Sequence, residues 1–378
     1  DPTHPAIARQ YNGLYNGDKS SWYTQQNNSP IPKDCDRHGT HVTGTILGLD
    51  KSTNDTLGVA FNARWMAGGI LCGIGSEDNL GAFEWALDPD GNPETTNDIP
   101  DVINNSWYDP EVGANECYSA YEPLLRALEL AGVAVVFSAG NEGPEAGINI
   151  NIVNSFTVGA LNGNVPTYPI ASFSSIGPSK CPGEGSIKIK PEVSAPGVQV
   201  RSCVPGNEYA FLSGTSMAAP HVSGAILLLK EAFPYLGGRE LKLALYETAI
   251  DLGEPGEDNK FGTGIINVYQ AYLKLVGEGH VPVPGQVRRD ALLLDIKSNA
   301  LACNRTFAPE LLVENAGTDT IMNLQFQIVG TSINRTLEWT GSIPPAGQEV
   351  INLETSGLPE EDETVRLAIT SVNGTTDE

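Results

Sequence analysis

The chain has 378 residues, enough for two domains with cores of their own. Its 22 basic and 46 acidic residues leave a formal charge of -24, which repels polyphosphate and anionic lipid and argues against nucleic acid or a membrane surface as partner. The longest apolar run in a helical pattern, Ala225–Leu229, falls far short of the roughly 18 residues a membrane span needs.

Six cysteines, Cys35, Cys72, Cys117, Cys181, Cys203 and Cys303, lack CxxC spacing, so partial disulfide bonding is expected in place of a zinc site. Cys181 with Cys203 is the pair expected first. Formal N-x-S/T sites at Asn27, Asn54, Asn104, Asn304, Asn334 and Asn373 fit an exported chain, and in a sequence so rich in these residues they also arise by chance.

The chain opens on DPTHP (1–5), where Asp1 invites a reading as a catalytic acid. The stretch CDRHGTHVTGTILG (35–48) predicts a helix start with small residues that allow close packing. His38 then lies at the helix mouth facing a cleft and His41 turns toward packing; two satisfied core histidines are the plainer alternative. The HxxH spacing lacks the glutamate and i, i+4 separation of a zinc-protease helix.

Between residues 60 and 165, WMAGGIL (65–71), DVINNSW (101–107), VAVVFSAGN (133–141) and SFTVGAL (155–161) are apolar on both faces, as strands of a parallel sheet covered by helices require. NLGAFEWAL (79–87) and YSAYEPLLRALELAG (118–132) are the intervening helices. The pattern predicts a doubly wound α/β fold, in which function collects in loops at the carboxyl ends of strands. Ser106-Trp107 and Gly140-Asn141 occupy such ends, and Asn141 offers a neutral donor for a negatively charged oxygen. In LSGTSMAAPHVSGAILLLKEAF (212–233), Pro220 is read as belonging to a first helical turn, so Ser216 sits at or just before a helix N-terminus. A serine there serves as an N-cap or, beside the positive end of the helix dipole, as a nucleophile.

After about residue 280 the character changes. HVPVPGQ opens a linker over 280–289, and short alternating segments with turn residues predict a small all-β sandwich of the immunoglobulin-like kind over 290–378. No catalytic cluster occurs there, so this domain is expected to act as a spacer or to bind a surface or another protein.

RHGTHVTGT, VINNSW, SAGNEGP, ASFSSIGP, KPEVSAPGVQVRSCVPG and GTSMAAPHVSG resemble, in order and spacing, the motifs of the subtilisin-like serine proteases, most closely the bacillopeptidase F type of secreted subtilase. The resemblance covers about residues 1–275 and implies a peptidase domain over 1–279. It assigns His38 as general base, Ser216 as nucleophile and Asn141 as oxyanion-hole amide. It further implies that Ser106 and Trp107 pair with substrate backbone, that Ser138, Ala139 and Gly140 line the opposite wall of the specificity pocket, and that the substrate is an extended protein or peptide segment. Tyr108-Asp109 departs from the Gly-Gly common after the Ser-Trp pair.

In that family the acid stands seven positions before the histidine of a His-Pro pair, here His4, which puts it four residues upstream of Asp1. The expectation is therefore a chain with two triad residues, one open position in its sheet, and Asp1 in the turn beyond. Asp34 and Asp36, in the loop of His38 itself, are poor substitutes. No cofactor is required, although the resemblance allows structural calcium at LDKSTNDTLG (49–58) or DPDGNPETTND (88–98). The second is no EF-hand, since Pro93 stands where that loop needs glycine. PEEDET (359–364) reads as an acidic surface loop. Two rival functions are a degenerate peptide-binding module and an esterase, the latter disfavoured because GTSMA is not GxSxG.

Overall fold

The computed structural model describes all residues except 25–28, 71–77, 108–116, 118–120, 145–154, 182–184, 186–187, 284–290, 299–305, 308, 316, 318, 331–333, 346, 354, 357–365 and 377–378. Tyr108-Asp109, Cys72, Cys303, Asn27, Asn304, most of the linker and the 359–364 loop therefore lie outside the described residues.

Chain contacts divide the protein into two units, Asp1–Val281 and Pro282–Glu378. The first contains, in order, β1 (Trp22–Tyr23), α1 (His38–Leu47), β2 (Leu49–Asp50), β3 (Asp55–Thr56), β4 (Ala67–Gly68), α2 (Asn79–Ala86), β5 (Val102–Asn105), α3 (Tyr121–Leu130), β6 (Ala134–Ser138), β7 (Phe156–Leu161), β8 (Val193–Pro196), β9 (Val200–Val204), β10 (Glu208–Leu212), α4 (Thr215–Ala232), α5 (Gly238–Glu247) and α6 (Val268–Gly277).

β5, β6, β7 and β8 form a parallel sheet in that order. Period-two alternation along and beside β6 places its layers: Ala134 and Val136 join the core under α4, α5 and α6, while Val133, Val135 and Phe137 join the core under α2 and α3. Helices thus cover both faces, the doubly wound arrangement that the apolar strands predict. β1 and β4 form a second parallel pair, β2 and β3 a hairpin, and β9 and β10 an antiparallel pair. β4 and β5 do not pair with each other. Between them runs a slot of about 950 Å³, lined by Ala67, Gly68 and Val102–Ser106, with Val42 of α1 and Leu227 of α4 among its walls.

The cysteine expectation is corrected. Cys117 pairs with Cys181, and Cys35 is also disulfide-bonded. Cys203 is free and buried on β9, its thiol facing the Thr40 carbonyl of α1 at 3.6 Å. Proximity along the chain misled here, because the strand holding Cys203 turns that side chain into the α1 interface, where a Cβ on Gly44 would collide with its sulfur.

In the second unit, β11 (Ala291–Ser298), β13 (Pro309–Asn315) and β16 (Gln348–Asn352) form one antiparallel sheet. β14 (Ile321–Val329), β15 (Asn334–Ile343), β18 (Arg366–Val372) and β19 (Thr375–Thr376) form another, and the short strands β12 (Thr306–Phe307) and β17 (Thr355–Ser356) pair separately. Leu311, Val313 and Ile351 of the first sheet share one core with Leu324, Phe326 and Val372 of the second. That is how two sheets face each other in a sandwich.

Candidate active site

α1 begins at His38 because the acid before it satisfies the helix start. Asp34 Oδ2 accepts from the Thr40 amide at 2.7 Å and the Thr40 hydroxyl at 2.6 Å, and Oδ1 accepts from the Asp36 amide at 3.1 Å. Asp34 is thereby committed to its own loop. One turn on, His41 is fully buried, with Nε2 within 3.0 Å of the Val200 carbonyl and 3.2 Å of the Ala210 carbonyl. His38 is only half-buried and opens on a cavity. Burial holds its pKa below the ordinary 6.5, outweighing the opposing pull of Asp34 and Asp36, so the neutral base form persists into mildly acid solution. Among the described residues no carboxylate is hydrogen-bonded to His38. Asp1 Oδ1 is occupied by the Thr3 amide and hydroxyl, at 2.9 and 2.7 Å.

α4 supplies the second wall. Gly214 precedes it, Thr215 is its first residue and Ser216 its second, so the serine lies where unsatisfied backbone N–H groups gather. Pro220 is the sixth residue of the helix, one turn later than its chemistry predicts. The carbonyl it leaves without a donor is that of Ser216, which accepts instead from Ser106 Oγ at 2.9 Å.

The third wall is the turn after β6. Gly140, at φ +112°, takes a left-handed conformation that a side chain resists. Its amide donates to Thr215 Oγ1 at 3.1 Å. Thr215 in turn donates to Asn141 Oδ1 from its hydroxyl, at 3.0 Å, and from its amide, at 2.8 Å. With Oδ1 doubly occupied, Nδ2 of Asn141 is left as a donor without a partner among the described residues.

His38, Asn141 and Ser216, with Gly214 and Met217, line one cavity of about 280 Å³. The Ser216 hydroxyl does not face His38 in this structure; it donates to the Ser106 carbonyl at 3.3 Å. Rotation about one side-chain bond redirects it. Ser138, Ala139 and Gly140 are buried in the β6 end and its turn, and Ser106 follows β5. Trp107 sends its indole away from the cavity into a cluster with Phe83, Tyr121 and Phe137, with ring centroids 6.2 to 6.4 Å apart. Thr215, Asn104 and Ser223 also carry the geometry. In the sequence Asn104 stands out only as a glycosylation sequon, and Thr215 and Ser223 only as members of GTSMAAPHVSG.

The two acidic stretches differ in how their carboxylates are used. Asp50 in 49–58 accepts from the Ser52 hydroxyl at 2.6 Å, the Ser52 amide at 2.9 Å and the Tyr209 hydroxyl at 2.8 Å. The Ser52 and Tyr209 hydroxyls together pull its carboxyl down to about 2. Asp55 is held by Arg201 at 3.2 and 2.8 Å. In 88–98, Asp88, Asp90 and Asp98 bring ligand oxygens within 4.8 Å of one another; Asp90 accepts from the Asn92 amide and the Thr95 hydroxyl, while Oδ1 of Asp88 and of Asp98 is buried with no hydrogen-bond partner among the described residues. Two buried carboxylate oxygens without a donor, beside a third carboxylate, fit a calcium ion; Asp50 and Asp55 of the 49–58 loop offer no such oxygen.

A serine at a helix start, a half-buried histidine and an amide donor without a partner among the described residues line one cavity on a doubly wound sheet, an arrangement able to support acyl transfer. Residues 1–264 match the profile of the Subtilase family, and the chain belongs to that family. It is 36% identical over 308 residues to bacillopeptidase F of Bacillus subtilis (strain 168), a match covering 75% of this chain and 20% of that protein, so the chain spans about a fifth of its length. Subtilisin DY of Bacillus licheniformis is 35% identical over 246 residues, 63% of this chain and 78% of that protein. Among solved structures, the S41 psychrophilic protease superposes with a TM-score of 0.59 at 28% identity, covering 70% of this chain and 87% of its own.

Proposed function

We propose that the protein is a secreted serine endopeptidase that cleaves extended segments of other proteins. His38 takes the proton of Ser216 as Oγ attacks the scissile carbonyl, forming a C–O bond and a tetrahedral oxyanion. Asn141 Nδ2 and the Ser216 amide bind that oxyanion. His38 then gives the proton to the leaving amine as the C–N bond breaks, and water discharges the acyl-enzyme by the same steps. The backbone at Ser106-Trp107 and at Ser138–Gly140 pairs with the substrate on either side. The observation that carries this reading is the shared cavity of His38, Asn141 and Ser216, with the amide of Asn141 held by Thr215 so that its donor stays free.

The slot between β4 and β5 runs beside His38, and its two edge strands each present unpaired backbone. In our reading an extended strand fills it, completes the sheet and supplies the aspartate that orients the His38 ring. Asp88, Asp90 and Asp98 would hold a calcium ion, which would serve only to clamp the α2–β5 connection. The β-rich second unit is assigned a surface- or protein-binding role. No described helix is long and apolar enough to cross a membrane.

The test exposes the chain to a fluorophosphonate probe and to casein, alongside Ser216→Ala and a form with an aspartate-bearing strand fused ahead of Asp1. Labelling at Ser216 with casein cleavage, strongest in the fused form, is the expected result. Labelling without cleavage in any form points to a non-proteolytic hydrolase. Neither labelling nor cleavage in all three turns the assignment to a peptide-binding module, the reading favoured by the lack of a carboxylate on His38 among the described residues.

A further inference from the structure

The bond that replaces the one lost at Pro220 is itself held by others. Ser106 has a single hydroxyl proton, so it reaches the Ser216 carbonyl only if nothing else on its oxygen claims that proton. Asn104 Nδ2 donates to Ser106 Oγ at 2.9 Å, leaving the proton free to go to Ser216. Asn104 Oδ1 in turn accepts from Ser223 Oγ at 3.0 Å, and Ser223 is fully buried on α4, two turns beyond Ser216. The circuit leaves α4 at Ser223, crosses β5 through Asn104 and returns to α4 at Ser216.

The amide is the one member whose direction decides the rest. Reversed, its oxygen would face Ser106, draw the hydroxyl proton to itself and leave the Ser216 carbonyl without a donor in the first turns of its helix. Asn104 is the first residue of a formal glycosylation sequon with Ser106, yet both ends of its side chain are engaged and half-buried, so its role is internal.

We infer that Asn104 is a positioning residue for the catalytic serine, its amide directing the hydroxyl of Ser106 onto the carbonyl of Ser216. The inference rests on the assignment of Ser216 as nucleophile. The arrangement ties the residue that carries both Oγ and an oxyanion N–H to the strand end that pairs with substrate. A shift of either against the other moves the attacking oxygen relative to the scissile carbonyl, which is the kind of misplacement that costs rate without costing binding.

Asn104→Asp tests it at nearly constant volume, because a carboxylate accepts from both hydroxyls and draws the Ser106 proton away. The measurement is inactivation by a peptidyl fluorophosphonate, resolved into its maximal rate and its half-saturating concentration, for the full chain, Asn104→Asp, Ser106→Ala and the double variant. Each single variant should lower the maximal rate about tenfold, as for one lost hydrogen bond in a reacting geometry, with half-saturation changed by less than about twofold. The double variant should be no slower than Ser106→Ala alone. An effect of the added charge would persist in the Ser106→Ala background, and that result, or additive losses, or an unaltered rate in Asn104→Asp, overturns the inference. If Asn104→Asp does not fold, Ser223→Ala replaces it in the same cycle, with a smaller loss that must likewise vanish in the Ser106→Ala background. Failure of the form with the aspartate-bearing strand to label at Ser216 would instead sink the nucleophile assignment itself.

Discussion

On the α4 side of the cavity the polar atoms that shape the chemistry are held: the Ser216 carbonyl by Ser106, the Asn141 oxygen by Thr215, and the Thr215 hydroxyl by Gly140. On the α1 side His38 opens on the same cavity with no hydrogen bond among the described residues and with a large slot at its flank. One half is organised before substrate arrives. The other has a histidine ring without a hydrogen bond among the described residues, which in the proposed mechanism is oriented by what fills the slot. Oxyanion stabilisation in that mechanism therefore rests on one half and base activation on the other.

The largest effect comes from removing the nucleophile. In the form whose slot holds an aspartate-bearing strand, Ser216→Ala should abolish fluorophosphonate labelling and lower peptide hydrolysis by on the order of 10⁶, a figure borrowed from subtilisin itself; without that strand the loss should be far smaller, because triad losses are not additive. Residual cleavage near that of the unsubstituted chain would break the assignment of the α4 half.

Filling the slot acts chiefly on the α1 half, and comparing aspartate with asparagine in the same strand isolates the effect on His38 from any packing effect on Ser106 and α4. A strand bearing aspartate ahead of Asp1 should exceed the same strand bearing asparagine by about 10⁴ in turnover, the cost of a wrongly oriented imidazole in the chymotrypsin-type example. Equal activity of the two would show that the slot has no part in orienting His38. Back on the α4 half, Asn141→Ala should cost about 10² to 10³ in turnover with little change in KM, again a subtilisin value, and Thr215→Val should cost less in the same parameter.

The pH profile links the halves. Protonation disables a base, so labelling of Ser216 should fall on acidification with a midpoint below 6.5, since burial depresses His38. A carboxylate in the slot should move that midpoint upward, because opposite charge favours imidazolium. An unchanged midpoint would place the carboxylate elsewhere. The smallest effect is remote from the cavity: calcium should raise the melting temperature by a few degrees, Asp98→Asn should remove that rise, and Asp50→Asn should leave it.

The sequence and structure agree most closely where chemistry is local in the chain. Residues 38–41 and 214–220 each set a helix start, a small-residue contact and a catalytic group within one or two turns, so the spacing shows the purpose. The layering of the sheet was equally visible in strands apolar on both faces. What escaped depends on residues brought together from far apart. Asn104, Ser106 and Ser223 meet across 119 positions, and each alone looks like an ordinary polar residue. Pro220 was placed one turn early because its cost is offset by a hydroxyl from another element. The two acidic stretches looked alike in composition; Arg201 of β9 and Tyr209 of β10, arriving from elsewhere in the chain, complete the satisfaction of the first that Ser52 begins.

Cys203 offers a clock for the α1 half. Its thiol is buried against the helix that carries His38, and burial pushes its pKa to about 11, so alkylating reagents meet neither access nor thiolate while α1 stays docked. Each undocking exposes it. Thiol capture located at Cys203 by peptide mapping under native conditions therefore reports opening of the packing that surrounds it, α1 included, and a filled slot should slow it as the strand clamps α1.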